Sequence, residues 1–306
     1  MFVLLVFLLV YTGMALGRLP GLALDRTGVA VLGALALVAG GGLSVTDALR
    51  AVDASTMALL FGLMVVSAQL RLGGFYTAAT RRLTTAAATP AGLLARVMAV
   101  AALLSALLAN DIVCLAMTPM LVESALARGL NPVPYLLGLA MAANLGSAAT
   151  LIGNPQNMLI GQVTGLSFAG YLAAAWPCVL IGLLVAWGTI VWGYRGRFAG
   201  PVVRLSVPTP TFDVWQSAKG LAALCLCIGI FFWGGLPREK IALACAGGLL
   251  LSRRMASRET LALVDWQLLL LFGGLFVVNH EVAAAGFLDT VQHVVRDGAG
   301  RCRYPS

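Results

Sequence analysis

Two short polar strings interrupt otherwise apolar sequence, and their residues are of the kinds that hold small ions. The first is Ala109-Asn110-Asp111. An apolar arm of 13 residues precedes it, Val97 to Ala109, and one of 11 follows, Ile112 to Val122. As helices these arms measure roughly 20 and 16 Å, short of a hydrocarbon core of about 30 Å. Those lengths predict a re-entrant hairpin over 97–122 that enters and leaves by one membrane face, its polar tip near mid-depth. Asp111 is then an acid inside the membrane, where an unpaired charge costs at least about 2–3 kcal/mol. The same residue suits the cap of a helix starting at Ile112, where a carboxylate accepts from free N–H groups.

The second string runs Asn144-Leu145-Gly146-Ser147-Ala148-Ala149-Thr150-Leu151-Ile152-Gly153-Asn154-Pro155-Gln156-Asn157. Pro155 cannot donate to a helix ladder, and this composition does not suit a lipid-facing helix. The pattern predicts a discontinuous helix over 135–165. Irregular backbone at membrane depth survives only where protein or a water-filled cavity satisfies it. Such a break offers carbonyls to a cation and helix N-terminal N–H groups to an anion. An anion can therefore be held without Lys or Arg. Arg96, on the first hairpin arm, is expected to reach the interface rather than the tip.

The elements around these strings follow from composition. Of the 306 residues, 60% are apolar and 10% charged, against about 25% charged in soluble domains, and the mean hydropathy is +0.94. Gly129 to Tyr194 is a run of 66 residues without Asp, Glu, Lys, Arg or His. The chain reads as an all-α polytopic membrane protein. Spans are predicted near 1–17, 27–43, 54–70, 171–193, 219–236, 241–252 and 266–279, with a polar, surface-lying stretch at 71–89. Met1 to Gly17 lacks the basic start of a secretory signal and is read as a span. The formal charge of +8 is spread one to three residues at a time between spans, as topology signals are, so nucleic acid is excluded as a partner. The six cysteines form no CxxC pair and read as reduced core residues. With His280 and His293 isolated, neither a metal cluster nor an enzyme is expected.

The chain also resembles itself. At a constant offset of 212, Val52-Asp53 matches Val264-Asp265 and Gly74-Phe75 matches Gly286-Phe287. With Leu59, Gly62, Leu63, Val65 and Val66, this makes nine identities in 24 ungapped positions. With the amino terminus outside, fourteen of the twenty basic residues fall on the inner side, and the two copies then have inverted topology. The organisation expected is a first transmembrane repeat over 1–194, a cytoplasmic linker over 195–218 and a partial second, inverted repeat over 219–306.

Residues 107–119 and 142–161 together resemble the ion transporter superfamily, which includes divalent-anion:sodium symporters, citrate-transporter-like permeases and arsenical-pump membrane permeases. The resemblance implies a secondary transporter in the cell (plasma) membrane, moving a small inorganic or carboxylate anion by symport. It needs no cofactor beyond a coupling ion, Na+ or H+, and its relatives commonly form homodimers. Carried over, Asn110 corresponds to the hairpin-tip Asn, and Asn144, Gly146 and Gly153 through Asn157 to the broken helix, with Ser147 and Thr150 between them. Na+ is expected at Asn110, Asn144 and Gly146. The tip has Ala109 and Asp111 where sodium-coupled members carry Ser and Thr, which favours proton coupling through Asp111. Second copies of the two strings would fall near 322 and 356–369. We therefore also expect a chain cut short within its second repeat, and an inactive fragment or accessory subunit is the alternative to a transporter.

Overall fold

A computed structural model describes residues 1–17, 24–85, 89–203, 212–252 and 255–286. Regular structure among them is helical: α1 Phe2–Leu16, α2 Arg26–Ala39, α3 Val45–Ala51, α4 Ala54–Leu72, α5 Phe75–Thr85, α6 Pro90–Leu107, α7 Asn110–Ala127, α8 Pro132–Ser147, α9 Pro155–Val163, α10 Phe168–Gly193, α11 Val214–Trp233, α12 Arg238–Leu250, α13 Ser257–Ala262 and α14 Trp266–Ala284. Six of these, α4, α6, α7, α10, α11 and α14, are long and apolar enough to cross a membrane. On α10 the side chains of Ile181, Leu184, Val185 and Trp192 are exposed, an arrangement that water penalises and lipid does not.

Several expected boundaries move, each for a local reason. Asp25 caps α2, its Oδ1 accepting from Gly28 N at 2.7 Å, and the helix ends at Ala39 before the Gly40-Gly41-Gly42 turn. α11 starts at Val214, inside the stretch expected as linker, because Asp213 Oδ1 accepts from Trp215 N and Gln216 N at 2.9 and 3.0 Å. The stretch 71–89 is not surface-lying throughout. It contains α5, with Tyr76 and Thr80 buried; Tyr76 OH lies 2.9 Å from Ser67 Oγ, and burial pushes its phenol well above the ordinary value.

The hairpin needs the largest correction. Its arms, α6 and α7, are 18 residues each, about 27 Å. Arg96 and Glu123, which flank the apolar runs in the sequence, continue the helices, since backbone hydrogen bonding is indifferent to a charge whose stem can reach a polar level. The length argument for a re-entrant hairpin therefore falls.

The chain divides into two compact units, 1–57 with 265–306, and 58–264. In the first, α1, α2 and α14 meet around Val6, Val10, Val29, Leu37 and Val278, and Tyr11 OH donates to Asn279 Oδ1 at 2.9 Å. In the second, α6, α7 and α8 enclose a core that includes Leu94, Val97, Val113, Met117, Leu121 and Tyr135.

Candidate ion-binding site

Both polar strings lie in the second unit. α6 ends at Leu107, Leu108 and Ala109 are extended, and α7 begins at Asn110. The expectation that Asp111 caps this helix is corrected: Ala109 is the cap and supplies no side-chain acceptor. Asp111 sits in the first turn of α7, where a negative charge complements the helix dipole. The uncapped end leaves N–H groups of that turn outside the intrahelical ladder.

α8 stops at Ser147, and α9 restarts at Pro155 with Asn154 as its cap. Proline at the first helical position loses nothing, since its missing N–H would have been an orphan. Asn154 Oδ1 accepts from Asn157 N at 2.8 Å. The residues between are knitted by their own side chains. Asn157 Nδ2 donates to Ser147 O at 3.2 Å and to Thr150 O at 3.0 Å. Ser147 Oγ donates to Asn144 O at 2.8 Å and accepts from Asn154 Nδ2 at 3.3 Å. Gly153 lies so close to Ser147 that a Cβ would stand 2.2 Å from the Ser147 carbonyl oxygen.

Three approaches align the two breaks. A Cβ on Gly138 would stand 2.5 Å from Leu94 Cδ1, and one on Gly146 would stand 2.3 Å from Ala102 O. Thr150 Oγ1 donates to Ala106 O. The partners advance together along both segments, so α6 and α8 run parallel and in register. Their C-terminal ends, and the breaks that follow, come to one level. Across that level Asn110 Nδ2 donates to Asn144 Oδ1 at 3.1 Å, while Asn144 Nδ2 donates to Ala140 O at 3.2 Å. Carbonyl ends of α6 and α8 thus approach N–H ends of α7 and α9, so partial charges of both signs occupy one small region.

The ten expected residues fall into two sets. Asp111 and Asn144 are exposed, and Asn110, Asn154 and Pro155 are partly so. Gly146, Ser147, Thr150, Gly153 and Asn157 are buried, and their bonds and close approaches hold the break in shape. Gly146 serves close packing, and its carbonyl accepts from Ala149 N at 3.0 Å. Arg96 is exposed and 14 residues from the tip, about 21 Å along a helix. One contributor had no sequence signal: Tyr171 OH donates to Ala148 O at 3.2 Å, and a tyrosine at the start of a span looks like any interfacial aromatic. Glu123 was also passed over; its Oε2 is buried without a hydrogen-bond partner. In the first unit, a cavity of about 680 Å³ bordered by Val31, Leu35, Val38, Trp266 and Leu270 is lined almost wholly by carbon and offers an ion nothing.

Residues 3–301 match the family described as Citrate transporter. Among relatives, the Inner membrane protein YbiR of Escherichia coli is 31% identical over 268 residues, 81% of this chain and 66% of the relative. The Silicon efflux transporter LSI3 of Oryza sativa is 38% identical over 164 residues, 54% of this chain and 34% of the relative. The Putative transporter arsB of Dictyostelium discoideum is 27% identical over 162 residues, 53% of this chain and 29% of the relative. The matched stretch thus spans between 29% and 66% of these proteins' lengths. Among the described residues the regular structure is helical and six apolar helices are of spanning length; with these relatives the chain is a multi-pass cell-membrane protein and not an enzyme, and it belongs to the citrate transporter family.

Proposed function

We propose that this protein is a secondary transporter that moves a small inorganic or carboxylate anion across the cell membrane by alternating access, driven by a proton gradient through Asp111. The observation that carries this reading is the Asn110–Asn144 bond between two helix breaks held at one level. It supports an ion pocket made of amide groups, backbone carbonyls and helix N-terminal N–H groups, with Asp111 at its exposed edge. The uncharged run from Gly129 to Tyr194 is consistent with an anion bound by dipoles rather than by a fixed cation. Na+ at Asn110 and Asn144 is the competing coupling, and association as a homodimer belongs to the same reading.

An internal duplication supports it further. α1 to α4 start at residues 2, 26, 45 and 54, and α11 to α14 at 214, 238, 257 and 266, the same offset each time. Asp53 and Asp265 cap equivalent helices, accepting from Thr56 N at 2.6 Å and Leu268 N at 2.9 Å. Gly74 and Gly286 both take left-handed φ, 72° and 73°. Glycine contacts are reciprocal: Gly62 lies against the Ala242 backbone and Gly274 against the Ala30 backbone, and each residue of the first pair has its offset counterpart in the second. We read these as two copies in inverted topology that exchange their fourth helices.

The test is uptake into vesicles reconstituted with the whole chain, using labelled citrate and sulfate, with arsenite and silicic acid added because of the relatives' names. A pH gradient is expected to drive uptake of at least one of these, and Asp111→Asn to reduce it at least about tenfold with Asp111→Glu spared. Uptake that follows Na+ and ignores Asp111→Asn would assign the coupling to sodium. No flux of any probe through folded protein would reject transport.

A further inference from the structure

α11 and α12 form a helical hairpin joined by residues 234–237. Cys227 lies six residues before the end of α11 and Cys245 seven after the start of α12. Positions equally far from the turn of an antiparallel hairpin stand side by side, each residue rising about 1.5 Å. The contacts agree. Cys245 Sγ lies 3.8 Å from Ala223 O, on the helical turn just before Cys227. A helical side chain leans back over the turn N-terminal to its own Cα, so the Cys227 sulfur is directed at the same spot. Both thiols therefore face the same stretch of the α11–α12 seam. Both are free, Cys227 fully buried and Cys245 partly so. Cys225 is exposed and two residues from Cys227, about 200° around the helix, so it does not compete.

We propose that Cys227 and Cys245 are a dithiol switch which a small-molecule disulfide oxidises to a Cys227–Cys245 bridge, stapling α11 to α12. The more accessible Cys245 loses its proton and attacks one sulfur of the oxidant, forming a mixed disulfide and releasing one thiol. Cys227, deprotonated in turn, attacks the Cys245 sulfur, closes the bridge and releases the second thiol. Two protein thiols become one disulfide, and the oxidant's disulfide becomes two thiols. The product is uncharged, so an apolar seam accommodates it without burying an ion.

The whole chain, purified in detergent, is treated with 4,4′-dithiodipyridine, a lipid-soluble disulfide whose released thiopyridone is read by absorbance. Thiols are then alkylated after denaturation and mapped by mass spectrometry. The expected result is a linked pair of peptides carrying Cys227 and Cys245, about 2 Da lighter than the reduced pair, with the midpoint of thermal unfolding raised and restored by dithiothreitol. Cys227→Ser is expected to trap the pyridyl adduct on Cys245, and Cys245→Ser to leave Cys227 alkylatable. Recovery of Cys227 and Cys245 as separate adducts or alkylated thiols in the unsubstituted chain would overturn the proposal, as would a bridge through Cys225. That readout needs no variant to fold and no transport assay.

Discussion

At the scale of single residues, the polar groups of the break between α8 and α9 divide into those that hold its shape and those left partly exposed. Asn157 commits its amide to two carbonyls inside the break, and removing it orphans both. At about 1 kcal/mol per net hydrogen bond, more when a buried partner is left unsatisfied, Asn157→Ala is expected to cost about 2–3 kcal/mol, seen as a lowered thermal midpoint in detergent. Asn110 makes a single bond at a partly exposed edge, so Asn110→Ala should cost about 1 kcal/mol or less while impairing ion-dependent uptake. If the two substitutions prove equally destabilising, the division into framework and facing residues is wrong. These asparagines stand out in the sequence because amides are scarce in apolar runs. Their division of labour does not, because it depends on which carbonyls packing brings near.

At the scale of elements, the parallel register of α6 and α8 decides where the breaks lie. Gly146 permits it by letting the Ala102 backbone approach where a Cβ would meet it at 2.3 Å. An alanine there must push the helices apart, and overpacking of this kind costs typically about 1–3 kcal/mol. Gly188, inside α10 and five residues before its end, has open space around it, and alanine is preferred over glycine in a helix interior by about 0.5–1 kcal/mol. Gly146→Ala should therefore lower the thermal midpoint and reduce flux, whereas Gly188→Ala should leave the midpoint unchanged or raise it. Comparable shifts from both would remove the argument for a registered seam. From sequence, Gly146 was a candidate ion ligand, since a glycine carbonyl and a glycine contact read alike until the neighbour is known.

At the scale of the whole molecule, the recurrence of helix starts at one offset carries a mechanical consequence. Gly62 and Gly274 stand 212 residues apart and each meets a helix backbone, at Ala242 and Ala30, with a Cβ placed 2.6 Å and 2.8 Å from the nearest backbone atom. Gly62→Ala and Gly274→Ala should each destabilise by about 1–3 kcal/mol, with similar shifts in thermal midpoint. A large shift from one and none from the other would deny the two glycines equivalent packing. The pairs that match at this offset in the sequence have local roles: Asp53 and Asp265 are helix caps, and Gly74 and Gly286 take left-handed φ.

What the amino-acid sequence determined alone is what local chemistry encodes. Apolar runs placed the helices, Pro155 and Asn154 placed the break and restart around residues 148–154, and Asp53 and Asp265 marked helix caps. Tertiary structure decided the length of the hairpin arms, the parallel register of α6 and α8, the Tyr171–Ala148 bond and the approach of Cys245 to Ala223. The reason is that backbone propensity acts within a few residues. A hydrogen-bond partner or a close approach exists only once two helices, far apart in the chain, have settled into one packing along their whole seam.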